Sequence, residues 1–260
     1  MKIQFTSVAL AEIQPTLQHH ISAFPSPIDS FLEDHILASN HYEIRSGEQR
    51  IGWTAIHEQS LITQFALLPA YRHLGQAIFA QVRKLEMVRS AFVPTCDEFF
   101  LAHALDDYRQ LDKQAYFFQH SEQREPYQSP LALRHRQASR KDIPTIQQLS
   151  GDFFDKLAER IDDGQIYISE REWPASGEIV GFGILDKGRL CLGVASCGMF
   201  VVESARRQGV GAAIIATLMG RCAELGLRPV AGCWYYNHNS KKTLEEAGMF
   251  TQTRLLRISY

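Results

Sequence analysis

The residues best suited to chemistry in this 260-residue chain lie in Cys197-Gly198-Met199-Phe200-Val201-Val202 and the following Arg206-Arg207-Gln208-Gly209-Val210-Gly211. An Arg-x-x-Gly-x-Gly turn that opens a helix leaves backbone N–H groups without intrahelical partners, and glycine lets a ligand come close to them. The positive end of the helix dipole acts in the same direction, so the turn favours an anion, above all a phosphate. A fainter copy, Arg72-His73-Leu74-Gly75-Gln76-Ala77, occurs earlier in the chain. Downstream, Asn237-His238-Asn239-Ser240 offers amide and hydroxyl groups at a helix start, where Asn239 or Ser240 is the expected cap. No Gly-x-Gly-x-x-Gly is present and the turn lacks a lysine-threonine ending, which argues against a dinucleotide turn and a nucleoside triphosphate loop.

The turn needs a strand before it and a helix after it. Met199 to Val202 reads as a buried strand and Val210 to about Leu225 as an apolar helix. Upstream, a helix is expected to begin near Arg140-Lys141-Asp142-Ile143-Pro144, where proline suits the first turn, and to continue through Ile146, Leu149, Phe153 and Leu157. Gln165 to Glu172 alternates as a strand with Ile166 and Ile168 on one face, and Gly177-Glu178 turns the chain into Ile179 to Leu185. Pro229 to Trp234 is another strand, Ser240 to Ala247 a short helix and Thr253 to Ser259 a last strand. This mixture predicts an α/β or α+β unit, a mixed sheet with helices on its faces.

The chain also repeats itself. Ile3-Gln4-Phe5 with Glu12-Ile13 matches Leu133-Arg134-His135 with Asp142-Ile143, and Ile51-Gly52-Trp53 matches Val180-Gly181-Phe182. The Arg72 and Arg206 turns correspond, as do Leu111-Asp112-Lys113-Gln114-Ala115-Tyr116 and Leu244-Glu245-Glu246-Ala247-Gly248-Met249. Four pairs in the same order, each about 130 residues apart, predict two copies of one unit. The polar, proline-bearing segment 119–132 is the expected linker between units at 1–118 and 133–260.

Composition narrows the classes. A hydrophobic share of 45% can bury a substantial core, and a net charge of -2 gives no electrostatic case for nucleic acid or an anionic membrane. Five cysteines without a Cys-x-x-Cys pair argue against a disulfide framework or structural zinc and for a reducing compartment. Met1 to Phe5 alternates like a strand without the apolar core of a signal peptide, and Val210 to Met219 is about half a membrane span, so a cytoplasmic chain is expected. His19, His20, His35 and His41 lack metal-ligand spacing, and no metal is expected.

The motifs resemble those of the GNAT superfamily of acyl-CoA-dependent N-acyltransferases. That family carries Arg/Gln-x-x-Gly-x-Gly/Ala before a helix, and Arg206, Gly209 and Gly211 match it, as Arg72, Gly75 and Ala77 do more loosely. Asn237, Ser240 and Gly248-Met249 fall at the family's downstream spacings. The resemblance implies two GNAT-like units, each a mixed, mostly antiparallel twisted sheet flanked by helices, the first of them degenerate. It also implies transfer of an acetyl group from acetyl-CoA (coenzyme A) to a primary amine of a small-molecule or peptidyl acceptor, with a homodimer among the expected assemblies. Backbone N–H groups of Gln208, Gly209, Val210, Gly211, Ala212 and Ala213 would hold the pyrophosphate, with Arg206 and Arg207 adding charge. Met199, Phe200, Val201 and Val202 would face the pantetheine arm beside a splayed neighbouring strand, Asn237 or Asn239 would bond it, and Ser240 would lie near the thiol.

Here the chain departs from the family. Leu244 stands where many relatives have a tyrosine general acid, so Ser240, Tyr236 and Cys197 are the catalytic candidates, with Tyr235 and His238 as further donors. Glu170 and Glu172 are candidate cleft carboxylates that a solvated strand face explains as well. In the first half no asparagine follows Phe92-Val93-Pro94, and Thr95-Cys96-Asp97-Glu98 reads as a helix start capped by Thr95. A non-catalytic acyl-CoA-binding or sensor protein is the alternative function. Gly209→Trp and Gly211→Trp are each expected to abolish cofactor binding in a folded protein.

Overall fold

The computed structural model describes residues 2–121, 127–172 and 177–260. The first half runs β1 (Ile3–Val8), α1 (Leu10–Ser22), α2 (Ser30–Leu37), β2 (Asn40–Ser46), β3 (Gln49–His57), β4 (Leu61–Leu67), α3 (Gly75–Val82), β5 (Ser90–Pro94), α4 (Glu98–Ala104) and β6 (Gln110–His120). The second half repeats that order with β7 (Leu133–Gln137), α5 (Ile143–Ser150), α6 (Leu157–Asp162), β8 (Ile166–Arg171), β9 (Glu178–Lys187), β10 (Val194–Val201), α7 (Val210–Glu224), β11 (Arg228–Trp234), α8 (His238–Glu246) and β12 (Met249–Ser259). The duplication read from the sequence is therefore present as two matching element orders in an α/β chain.

The strands form one sheet in the order β1-β2-β3-β4-β5-β12-β6-β11-β10-β9-β8-β7. Pairing is antiparallel except at β4–β5 and β10–β11, where α3 and α7 carry the chain across between parallel neighbours. The halves exchange their last strands. β12 pairs with β5 of the first half, β6 pairs with β11 of the second, and β6 and β12 pair with each other from His120↔Met249 to Gln110↔Ser259. Gln119 and His120, at the head of the expected linker, are thus the end of a central strand; residues 122–126 of that linker lie outside the described residues, as does Met1.

One face of the sheet is covered by α7 and α8, through Ile214, Leu218 and Leu244, and by α3 and α4, through Phe79 and Phe100. On the other face α5 and α6 pack Ile146 and Ile161 on Ile168 and Phe182. There α1 and α2 bring Ile13, Leu17 and Leu32 together with Trp53 of their own half and Val194 and Val230 of the other. Glu33 on α2 is 2% exposed and accepts from the N–H groups of Arg189 (2.9 Å), Leu190 (2.7 Å) and Cys191 (2.9 Å). A buried carboxylate with three backbone donors ties the first half's helices to the second half's β9–β10 connection.

Several expectations need correction. The helix near Arg140 does not run to Leu157: Ser139 and Asp142 form a capping box, α5 stops at Ser150, and Gly151 takes φ +57° and ψ -134°. Phe153 is left 52% exposed and Leu157 opens the separate α6. The strand before the turn begins at Val194 and ends at Val201, so Val202 lies outside it and Met199, Phe200 and Val201 are half-buried. Ile166 and Ile168 share a face, but Tyr167 between them is also buried, since helices cover both sides of β8. Leu111 to Tyr116 lies within β6 whereas Leu244 to Glu246 lies in α8, so α8 has α4 as its counterpart. Asp97 rather than Thr95 caps α4, accepting from Phe100 N–H at 3.0 Å, while Thr95 Oγ1 accepts from Arg254 N–H at 2.9 Å. Pro94 is tolerated because it is the last residue of β5.

All five cysteines are unpaired and buried, and among the described residues no His, Cys, Asp and Glu side chains group to hold a metal ion. No described helix is long and apolar enough to cross a membrane. The exchanged strands predict that residues 127–260 expressed alone will not give a stable monomer, because β11 and β12 lose β6 from between them. Co-expression with residues 1–121 should restore a folded species on size-exclusion chromatography and circular dichroism; a cooperative melt from isolated, monomeric 127–260 would count against this account.

Candidate functional site

The site is built where β10 and β11 part. They pair only from Val194↔Arg228 to Ser196↔Val230, and each then runs on without the other, β10 to Val201 and β11 to Trp234. Cys197, Met199 and Val201 face α7, as do Ala231 and Cys233. The opposite face of the gap carries two glycines, Gly198 and Gly232, so backbone lines it. A Cβ on Gly198 would come within 2.6 Å of Ile184 Cγ2, which accounts for glycine there.

Past Val201 a short 3-10 turn, Glu203–Ala205, leads to the Arg206–Gly209 turn. Arg207 has φ +62° and Gly209 φ +82°, which bends successive N–H groups toward one side ahead of α7. Among the described residues the N–H groups of 207–212 have no hydrogen-bond partner. Ala213 differs from the expectation: its N–H donates to Gly209 O at 3.1 Å and its side chain is buried. Arg206, Arg207 and Gln208 are exposed, and Arg206 Nε donates to Val201 O at 3.3 Å. N–H groups without partners, two exposed guanidinium side chains and a helix N-terminus fit a diphosphate, and the parted strands fit a thin arm leading from it.

The first half's turn has closed. A 3-10 helix, Pro69–Leu74, runs straight into α3, and Gly75 has φ -52° with its N–H bonded to Arg72 O. A Cβ on Gly75 would strike the His103 ring, so that side chain already occupies the approach. β4 and β5 also part after Ile62↔Ala91, but Ile62 to Leu67 are all buried. The same elements thus leave an open gap in one half and a filled one in the other.

At the far end of β11, Asn237 caps α8, with Oδ1 accepting from Ser240 N–H at 3.0 Å; Asn239 and Ser240 are not the cap. Asn239 is exposed. Tyr236 is 52% exposed and meets the Trp234 ring edge-on at 5.2 Å. Ser240 is half-buried, its hydroxyl beside Cys233, whose thiol burial pushes up to about 11. Tyr235 stacks on Tyr116 at 4.6 Å, and a hydrogen bond from Tyr116, then one from Lys113, lowers its phenol from the ordinary value. Cys197 does not join these groups. It is buried with Sγ 3.7 Å from Cys222 Sγ, and that hydrogen bond together with burial holds its thiol well above the usual range. Leu244 is buried in the core under α7.

The two carboxylates considered from the sequence also fall elsewhere. Glu170 is buried on β8 between Arg134 and Arg136; burial opposes its ionisation, but the bonds from the two guanidinium groups outweigh it and hold the carboxyl below the usual range. Glu172 lies just past the end of β8, its N–H bonded to Ala132 O. A carboxyl the sequence reading missed, Asp29, reaches the gap from the first half and stands against Gly232. Its only local signal is that of a helix cap before Ser30. A large groove between α1, α2 and α6, lined by Asp34, Arg160, Asp186 and Arg221, includes no residue of the turn.

Gly211 is enclosed: a Cβ there would come to 2.9 Å from Thr243 Cγ2 and 3.0 Å from Met199 Sδ. Gly211→Trp is therefore expected to disrupt the packing of α7 itself, contrary to the sequence expectation. Gly211→Ala should cost about 1–3 kcal/mol from overpacking, and Gly209→Ala about 1–2 kcal/mol for the left-handed backbone. Urea unfolding of the two variants checks this; a Gly211→Ala midpoint equal to that of the parent protein would refute the packing.

Comparison with known proteins agrees with this architecture. A family model described as an acetyltransferase (GNAT) domain matches residues 9–121, and one described as the acetyltransferase (GNAT) family matches residues 105–249, more than half of the chain. No curated protein matches. A GNAT-family acetyltransferase from Colwellia psychrerythraea superposes with a TM-score of 0.85 at 16% identity, covering 100% of both chains. A tandem GNAT protein from the clavulanic acid biosynthesis pathway gives 0.66 at 12% identity, over 100% of this chain and 98% of that one. A GCN5-related N-acetyltransferase from Sphaerobacter thermophilus gives 0.67 at 12% identity, over 99% and 95%. At these identities the likeness is one of fold. With its duplicated element order, its parted parallel strands and its two matched domains, the chain belongs to the GNAT acetyltransferase family as a tandem GNAT protein.

Proposed function

We propose that the chain is an acetyl-CoA-dependent N-acetyltransferase whose second half, 133–260, binds the cofactor and acetylates a primary amine of a small-molecule or peptidyl acceptor. One observation carries this reading: N–H groups without partners at the start of α7 stand directly beyond the gap between β10 and β11. The N–H groups of 207–212 and the guanidinium groups of Arg206 and Arg207 hold the diphosphate. The backbone of Met199, Phe200 and Val201 lines the arm, and the amide of Asn237 lies at the other wall, with its nitrogen left for a ligand by the cap bond at Oδ1. When bound, acetyl-CoA supplies an acetyl group activated as a thioester. The protein contributes position, exclusion of water and oriented N–H donors. Tyr236 and Ser240, on either side of Asn237, are the hydroxyls to test as proton donors to the departing thiol.

Purified protein given acetyl-CoA and a panel of primary amines is expected to release free thiol. Arg206→Ala and Arg207→Ala should each weaken coenzyme A binding roughly 3- to 30-fold in calorimetry, the size of a charge-assisted contact at an exposed site, without lowering the melting temperature. Undiminished binding in both variants would reject the turn as the diphosphate site. Tight binding with no turnover on any amine would favour an acyl-CoA sensor, a reading to which the buried Leu244 in place of a tyrosine also points.

A further inference from the structure

We propose that Asp29, which the first half lays against the gap of the second, receives the acceptor's amine and takes up its proton; this rests on the acetyl-transfer reading above. Asp29 caps α2, its Oδ1 accepting from Leu32 N–H at 3.1 Å. One residue on, Ser30 N–H donates to Ser196 Oγ at 2.8 Å. Ser196 is the last residue of β10 that pairs with β11, so this bond pins the start of α2 to the vertex where the strands part. The other carboxyl oxygen, Oδ2, is aimed at Gly232, two residues beyond the last paired residue of β11, and a Cβ there would collide with it. Gly232 is exposed while Asp29 is only 6% exposed, so the carboxyl is a buried wall of an opening that reaches solvent over the strand backbone. Trp234, on the same side of β11 by strand alternation, is 57% exposed, an aromatic side chain within two residues of Gly232.

The charges around Asp29 leave it without a counter-ion. Glu33 and Asp34 are its acidic neighbours on α2, and Arg189 from the β9–β10 connection pairs with those two. Cys233 is the titratable neighbour on β11. Among the described residues no cation pairs with Asp29 itself. A buried carboxyl with no cation of its own is a ready receptor for an ammonium group. Burial first, with a smaller contribution from Asp34 and Glu33, pushes Asp29 up to about 7 against its capping bond. In that range it accepts a proton from an ammonium group and returns it to water without a large penalty in either direction. The step is a proton transfer alone: one N–H bond of the ammonium breaks, its electron pair stays on nitrogen as the nucleophilic lone pair, and the carboxylate becomes a carboxylic acid.

Asp29→Asn keeps the shape and the capping oxygen but cannot take the proton. The full chain carrying it should bind coenzyme A within about twofold of the parent and lose on the order of 100-fold in kcat/KM at pH 7. It should also lose the rise in rate through about pH 7 that belongs to this carboxyl. Melting gives a readout independent of turnover. A carboxyl whose pKa is raised on folding contributes stability that is present below its unfolded value near 3.8 and is lost as pH rises through about 7. The parent should therefore lose melting temperature between about pH 4 and 7 relative to Asp29→Asn, and change no further above that range. Gly232→Ala, which displaces Oδ2, should lower kcat/KM in the same way and add little to Asp29→Asn. Parental kcat/KM and pH profile in Asp29→Asn, parallel melting curves across pH, or full activity in Gly232→Ala would each overturn the proposal. If the parent itself neither binds coenzyme A nor acetylates any amine, the functional reading falls and the assignment falls with it; if the parent turns over and Asp29→Asn does so equally, only the assignment falls.

Discussion

The exchange of last strands between the two halves is the constraint on which the rest of the structure depends. β6 and β12 lie side by side at the middle of the sheet, and each is also paired with a strand of the half it does not belong to. A buried strand must have its N–H and C=O groups paired on both edges. Neither half completes its own sheet, and the chain closes as one hydrogen-bonded layer. That layer sets the distance between the halves, and it places α1 and α2 over β11 and β10 as well as over their own strands. Glu33, with its three N–H donors at 189–191, then fixes α2 in that position.

Duplicated elements have produced unequal sites, and the difference comes down to a few residues. Gly209 takes a left-handed backbone and turns N–H groups outward, whereas Gly75 is helical and its N–H is consumed by Arg72 O. His103 fills the space over Gly75, while Arg206 to Gln208 stay exposed. In the gap itself, β10 keeps half-buried residues beside an opening floored by glycine, and β4 is sealed from Ile62 to Leu67. The first half contributes instead through its helices, as a wall of the second half's gap.

Much of the element order was legible. The strand-turn-helix at the Arg206 turn, the later strands and the repeat of about 130 residues all rest on local periodicity and turn chemistry, which the chain carries within short windows. The errors were local conflicts decided by geometry. Gly151 broke a helix whose apolar spacing would have carried it onward, and Asn237 captured the cap that Asn239 and Ser240 also suit. Glu170 looked available on an alternating strand, yet the antiparallel partner β7 brings Arg134 and Arg136 beside it.

The sequence by itself determined the two copies, the glycine-containing turn at Arg206–Gly211 and the family resemblance, because each is written in residues close together along the chain. The tertiary structure alone decided which strands pair at the centre, which turn stays open and which carboxyl faces the gap. Those outcomes depend on residues far apart in sequence: His103 over Gly75, Ser30 on Ser196 and Asp29 against Gly232. Ser30 and Ser196 come within hydrogen-bond distance only once the exchanged strands have joined the halves, and no local pattern records such a meeting.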